Sequence, residues 1–367
     1  MRGLYIHIPF CRSKCKYCDF ASFSGKEDIM DNYVSALCNQ MISYKGLEFD
    51  SVYIGGGTPT TLSEKNLQRI FDAIYKNFNI CDNSEITIEA NPATVTYDLA
   101  LFLKKNGVNR VSMGGQSFVD KELLLIGRCH SSDDIVSTYN TLIKAGIDNI
   151  NIDLMYALPE QTMETLDISI SKILSINPRH ISCYGLKIEE GTPFYKMLCD
   201  GKISEKDDDE FSSMYYYIVK KLTEAGYEHY EISNFSKPGY ISKHNCKYWE
   251  CEEYLGLGLG ASSYLYGERW DNTREFDEYF SGNIKSNVCI IDRDEQMSEF
   301  IILGLRMLKT GVDMIKFQQK FGIDIMDKYK DVIDKNIRLK LIKKSENKLL
   351  LTQDAYCISN IVMSDFI

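Results

Sequence analysis

No apolar run in this 367-residue chain approaches the ~18 residues that a membrane-spanning helix needs. An excess of positive charge is also missing. With 42 Lys and Arg against 52 Asp and Glu the formal net charge is −10, which argues against broad nucleic-acid affinity, because that draws on positive fields. No internal repeat or low-complexity segment stands out, and a strand-like segment begins almost at once, so a secretory leader is not expected. Histidine is scarce at five residues, and no His or Cys stands close behind Cys18 to complete a four-ligand zinc site. What remains is the composition of a globular protein of a reducing cytoplasm, long enough for one large domain or two ordinary ones.

Cysteine, by contrast, is plentiful, with 12 in the chain. Nine are scattered and read as reduced bystanders or buried thiols. The other three, Cys11, Cys15 and Cys18, form a C-x3-C-x2-C run directly after an apolar strand. Three thiolates at this spacing hold three irons of a [4Fe–4S] cube and leave the fourth iron open to a substrate or cofactor. The spacing therefore predicts chemistry rather than a structural staple.

Short apolar runs at Leu4–Ile8, Ser51–Ile54, Glu85–Glu89, Arg110–Met113, Asn149–Met155 and His180–Tyr184 alternate with amphipathic stretches. The latter span Asp31–Tyr44, Glu64–Asn77, Tyr97–Asn106, Asp133–Ala145 and Glu164–Ser175, two of them closed by Gly107 and Gly146. The pattern predicts an α/β fold, a partial (β/α)6 barrel with its functional residues at the C-terminal ends of the strands. After Thr192 the pattern changes to a long helix at Asp207–Glu224, a strand at His229–Ser233 and a glycine-rich run from Gly256. From about Asp292 the chain reads as a small α+β module of winged-helix-like layout: helices at 294–309, 313–320 and 325–335, a basic hairpin around Lys343–Leu351 and a closing helix. Its acidic setting favours a cap over the barrel mouth rather than a nucleic-acid binder. The expected divisions are 1–205, 206–290 and 291–367.

Each strand end in the first half carries a polar or glycine-rich signature. Gly55-Gly-Gly-Thr-Pro59 exposes backbone groups that can meet the amino and carboxylate ends of an amino-acid-like cofactor. Glu89, in Glu-Ala-Asn-Pro92, can accept from an ammonium or ribose hydroxyls, although exposed carboxylates are common. Gln116 offers a donor and an acceptor, and Arg128 offers a cationic fork. Asp153 stands among apolar neighbours and needs a partner, either a ligand or a structural salt bridge.

Taken in order, Tyr-Ile-His-Ile-Pro-Phe-Cys-x3-Cys-x2-Cys, Gly-Gly-Gly-Thr-Pro, Glu-Ala-Asn-Pro, Gln-Ser-Phe, Gly-Arg and Ile-Asp-Leu-Met resemble the radical S-adenosylmethionine (SAM) proteins. The branch they resemble contains oxygen-independent coproporphyrinogen III dehydrogenase (oxidase) and the HemW-type heme chaperones. The resemblance runs over nearly the whole chain. It implies Cys11, Cys15 and Cys18 as cluster ligands, and Tyr5, Tyr17, Gly56, Gly57, Thr58, Glu89, Gln116, Arg128 and Asp153 as SAM contacts. It further implies that an electron from the cluster cleaves a C–S bond of SAM, giving methionine and a 5′-deoxyadenosyl radical. Gly115 stands where relatives usually carry a larger apolar residue.

Two departures count against the dehydrogenase. Asp19 and Phe20 replace the segment that would hold a fourth cysteine, and four residues stand where that enzyme has a longer arm ahead of Tyr5. His244-Asn-Cys-Lys-Tyr-Trp249 matches the His-Asn-x-x-Tyr-Trp motif of the chaperones and makes His244 the expected heme ligand, with Cys246 and Cys251 as rivals. His7 reads as a packing or hydrogen-bonding residue. The expected function is a heme chaperone carrying a [4Fe–4S] cluster, SAM and heme; the alternative is a radical enzyme acting on a porphyrin. The implied partners are heme, respiratory apo-hemoproteins, an electron donor where SAM is cleaved and a second copy of the chain, with no nucleic acid. The implied place is the cytoplasm, with contact at the inner face of the membrane only peripheral.

Overall fold

The computed structural model describes residues 1–367. Strands β1 (Arg2–Ile8), β2 (Glu48–Gly56), β3 (Asn79–Ala90), β4 (Arg110–Gln116), β5 (Ile150–Tyr156) and β6 (His180–Gly185) pair in parallel, in chain order. Helices α1 (Met30–Ile42), α2 (Glu64–Asn77), α3 (Tyr97–Lys105), α4 (Asp120–Ile126), α5 (Ser132–Lys144) and α6 (Met163–Ile176) connect them. Local chemistry explains why they form. In α2 the Ser63 side chain accepts from the Asn66 N–H, and Leu67, Ile70, Phe71 and Ile74 recur at the i, i+3, i+4, i+7 spacing that buries one face. Thr162 and Thr165 close a reciprocal cap at the start of α6.

Strand residues alternate between two environments. Leu4, Ile6, Ile8, Val52, Ile54, Ile86, Ile88, Val111, Met113, Ile150, Ile152 and Ile181 are buried in one core against the helices. The intervening set turns inward and is polar: Tyr5, Tyr53, Thr87, Glu89, Arg110, Ser112, Asn151, Asp153, Ser182 and Tyr184. Closed eight-unit barrels fill this space with branched apolar side chains. Here the polar lining leaves a cavity.

The sheet does not close. Beyond β6 come α7 (Pro193–Cys199), α8 (Asp208–Glu224), the hairpin β7 (Glu228–Glu231) and β8 (Asn234–Ser236), and the short helix α9 (Lys243–Trp249). Strand β8 extends the sheet antiparallel to β6. The next strand, β9 (Tyr254–Leu257), returns to pair in parallel with the free edge of β1. Then β10 (Ser262–Leu265), β11 (Glu268–Asn272), α10 (Phe276–Ser281) and β12 (Lys285–Ile290) carry it to 12 strands. The glycine-rich run thus contains a strand, and the single strand expected at His229–Ser233 is a hairpin.

The remaining segment holds α11 (Arg293–Leu305), β13 (Val312–Asp313), α12 (Met314–Phe321), α13 (Ile325–Arg338), β14 (Ile342–Ser345), β15 (Lys348–Leu351) and α14 (Ser359–Ser364). Its three strands form a separate antiparallel sheet, over a core of its own that includes Ile301, Phe317, Ile333, Leu349 and Val362. It does not cap the cysteine end of the sheet. It docks on the β7–β8 hairpin and α9, where Met307 packs with Tyr230 and Cys246 and the Leu308 N–H donates to the Tyr230 carbonyl.

Candidate functional site

A cavity of about 450 Å³ opens at the C-terminal ends of the parallel strands. Cys11, Cys15 and Cys18 line it, on the loop that leaves β1. Cys11 Sγ lies 3.7 Å from Thr58 Oγ1 and Cys18 Sγ 3.7 Å from Ser22 Oγ, while Arg128 Nη1 donates to Cys15 Sγ at 3.4 Å. Burial pushes the Cys11 and Cys18 thiols up. Iron bound at these sulfurs would oppose that push, because coordination demands thiolate.

The glycine run packs against this loop at closest approach. Gly57 N–H donates to the Ile8 carbonyl, and a Cβ on Gly57 would stand 2.6 Å from the Phe10 carbonyl oxygen. Gly56 has φ +112°, and a Cβ there would meet the His7 ring at 2.4 Å. Both positions therefore require glycine. The Gly56 N–H and the Tyr53 hydroxyl donate to the two oxygens of Glu89, at 2.9 and 2.8 Å. Burial nevertheless dominates and pushes this carboxyl up to about 7.

On β4 a bulge between Gly114 and Gln116 puts Gln116 at φ +67° and turns its side chain to the cavity. Gly115 is the residue inside the bulge, where a Cβ would stand 3.0 Å from Ile152 Cγ2. The glycine noted in the sequence thus suits a tight turn. Arg128 Nη2 donates to the Gly114 carbonyl at 2.6 Å. On β5, Asn151 Nδ2 donates to Asp153 Oδ1 at 2.6 Å, and burial pushes the Asp153 carboxyl up. Tyr17, Gly56, Gly57, Thr58, Glu89, Gln116, Arg128 and Asp153 all line the one cavity; Tyr5 lines a neighbouring one, its hydroxyl 2.9 Å from His7 Nδ1. Two buried polar atoms there, Gln116 Oε1 and Arg128 Nε, have no partner within the chain. With the bare glycine backbone they suit a ligand rich in donors and acceptors, as SAM is.

His244 is not brought to that cavity. It sits on α9 under the first strands, 1% exposed, with Nδ1 2.9 Å from Ser51 Oγ and Nε2 2.9 Å from the Tyr248 hydroxyl. Its ring stacks on Tyr53 at 5.2 Å. Burial pushes its pKa down to about 3. The carboxylate of Glu85 caps α9 by accepting from the N–H groups of Lys243 and His244, and Lys247 pairs with Asp50 and Glu252 at 2.7 Å each. Cys246 is buried, its thiol pushed up to about 12, and Cys251 is pushed up to about 11. Tyr248 itself borders a second, shallower cavity of about 300 Å³ with Tyr5, His7, Phe20, Tyr254 and Arg274. His7 shares its ring nitrogens between Tyr5 and the Ala21 carbonyl, as a hydrogen-bonding residue.

Several lining residues escape a motif-based reading: Tyr53, Arg110, Ser112, Tyr184, Asn234 and Asn245. The signal was available for the strand positions. Polar residues recur at every second position of Ser51–Tyr53, Thr87–Glu89, Arg110–Ser112 and Asn151–Asp153, the period of one strand face. Asn245 belongs to the His-Asn-x-x-Tyr-Trp motif, yet it faces the main cavity while His244 does not.

Residues 5–173 match the Radical SAM superfamily, and residues 291–357 match the HemN C-terminal domain. Heme chaperone HemW of Lactococcus lactis is 36% identical over 366 residues, 99% of this chain and 96% of the relative. The Bacillus subtilis protein of that name is 35% identical over 100% of this chain and 99% of its own length. That of Escherichia coli is 38% identical over 84% of this chain and 83% of its length. Among solved structures, coproporphyrinogen III oxidase (HemN) from Escherichia coli superposes with a TM-score of 0.86 at 22% identity, covering 99% of this chain and 89% of that one. The last likeness establishes the shared fold. On the full-length likeness to the first three, with a radical SAM core and a HemN-type C-terminal segment, the chain belongs to the family of HemW heme chaperones.

Proposed function

We propose that this protein binds heme and hands it to apo-hemoproteins, respiratory ones among them, while holding a [4Fe–4S] cluster on Cys11, Cys15 and Cys18. SAM would lie against Gly56, Gly57, Thr58, Glu89, Gln116, Arg128 and Asp153, with Tyr5 and Tyr17 beside it. A reduced cluster there supplies the electron that cleaves SAM where cleavage occurs. The chain's own part is positional: the glycines admit the ligand backbone, Arg128 fixes its carboxylate beside Cys15, and Glu89 accepts from its hydroxyl or ammonium groups. The full-length likeness to heme chaperones carries the reading. Two separate hydrophobic cores support a division near residue 290, and no helix is long and apolar enough to cross a membrane.

For heme, the reading is that His244 becomes a ligand once the Tyr248 hydroxyl releases Nε2. Tyr248 stands between that nitrogen and the shallow cavity, whose Tyr5, Tyr254 and Phe20 rings suit a porphyrin face. Heme titrated into anaerobically reconstituted protein tests this through the Soret band. A near-stoichiometric site, weakened by His244→Ala and strengthened by Tyr248→Phe, is the expected result. An unchanged site in His244→Ala sinks the ligand assignment, and the absence of a saturable site in the wild type sinks the chaperone reading.

A further inference from the structure

We propose that the floor of the barrel lumen binds the carboxylate of a small organic monoanion, gripped by Arg110 and Asn245 beneath the SAM-contacting positions. Arg110, at the start of β4, is 1% exposed and lines the 450 Å³ cavity. Its guanidinium forms no ion pair or hydrogen bond within the chain, and its Nε is buried without a partner. A buried, unpaired cation is costly, and a lumen that keeps one is built for an anion that comes from outside. Asn245 lines the same cavity with an uncommitted side-chain amide. Ser112, whose Oγ accepts from Asn151 Nδ2, keeps its own hydroxyl proton to donate there.

The surroundings select the charge and shape. A guanidinium fork matches the two oxygens of a carboxylate. One fixed cation at the floor matches one negative charge, and the buried carboxyls of Glu89 and Asp153 higher in the same lumen, already held toward their protonated forms, disfavour a second negative charge such as that of a phosphate dianion. The carboxylate of SAM is not the occupant. The SAM reading assigns that carboxylate to Arg128, which is bonded to the Gly114 carbonyl, whereas Arg110 stands four residues earlier on that strand, its Cα ~13 Å from that of Gly114 at ~3.3 Å per residue. The site therefore goes beyond heme handling: it gives the lumen a second small-molecule ligand.

The test uses anaerobically reconstituted holoprotein with SAM, titrated with propionate, propionamide and inorganic phosphate and followed by thermal shift and calorimetry. Propionate alone should stabilise saturably. Arg110→Gln and Asn245→Asp should each weaken it by about tenfold or more, with Arg110→Lys in between. SAM and heme binding, measured in parallel, should hold in the two Arg110 variants. The proposal is overturned by no saturable response to propionate, by an equal response to propionamide or phosphate, or by Arg110→Gln binding propionate as the wild type does. Heme loss in Arg110→Gln with no propionate response also overturns it and assigns Arg110 to heme. Should Arg110→Gln not fold, Asn245→Asp decides, since it keeps the guanidinium and adds a repelling charge. Failure of the heme reading alone would appear as lost Soret titration with propionate binding intact.

Discussion

At the scale of single residues, the site depends on side chains that are absent and on one that holds its proton. Gly57→Ala would drive a methyl between two backbone carbonyls, 2.6 Å from Phe10 O and 2.9 Å from Ile8 O, neither of which can swing away. The expected loss is about 1–3 kcal/mol of stability together with SAM retention, read by denaturation and by equilibrium dialysis. Glu89 makes the complementary case. Its carboxyl is raised from 4.5 to about 7, so the native chain keeps a proton that the unfolded chain gives up. Its contribution is full below about pH 4.5 and is lost as pH rises to about 7, on the order of 3 kcal/mol. Glu89→Gln should remove that dependence. Parallel unfolding curves for the two proteins across this window would contradict the assignment.

At the scale of elements, α9 joins the motif to the C-terminal segment. Arg306 lies 4.2 Å over the Trp249 ring and 3.4 Å from Glu231, which is 0% exposed. Arg306→Ala leaves that carboxylate buried with only its hydrogen bonds from Ser233 and Asn234. A loss of about 3 kcal/mol is expected, seen as a lowered midpoint in denaturant; a change under about 1 kcal/mol would mean the contact is incidental. This junction was not legible in the sequence, because Arg306, Glu231 and Trp249 are joined only by the docking of separate elements. The six parallel strands were legible, since Leu4–Ile8 and Asn149–Met155 carry apolar runs closed by turn residues. β9 was not: Gly256 and Gly258 read as a turn, and its pairing with β1 spans about the whole core. Within the site, the cysteines and glycines were legible because their chemistry is tied to fixed spacing. Arg110 was not, since an arginine at a strand start reads as a boundary until the topology turns it inward.

Across the whole molecule, all five histidines share a direction. Burial pushes His7, His130 and His229 down to about 4, His244 to about 3 and His180 well below the usual range. Each is neutral in the native chain and takes a proton when released, so unfolding takes up as many as five protons as pH drops below 6.5. Their stability contribution is present above 6.5 and is lost as pH falls toward 4, against the opposite trend of Glu89. The melting temperature should therefore fall steeply between about pH 6.5 and about pH 4.5. A flat profile there would show that these rings titrate as in water. Mutating one of them would relieve only part of the slope, because the five sit on different elements: β1, the α4–α5 turn, β6, β7 and α9.

Strand β1 is held on both sides, by β9 through Ile6 and by β2 through Ile8, just before the cysteine loop departs. The order of maturation follows from that. The ladder partners of β1 are backbone groups of β2 and β9 and none comes from the cysteine loop, so the fold of the strand is expected not to depend on the cluster. Loading then has only the short stretch from Cys11 to Phe20 to arrange. Amide exchange before and after reconstitution should change in that stretch and hardly at all in β1, and serine at any of the three cysteines should cost iron and sulfide while sparing the fold. A chaperone built this way can be stockpiled empty and commissioned later, whenever iron is supplied.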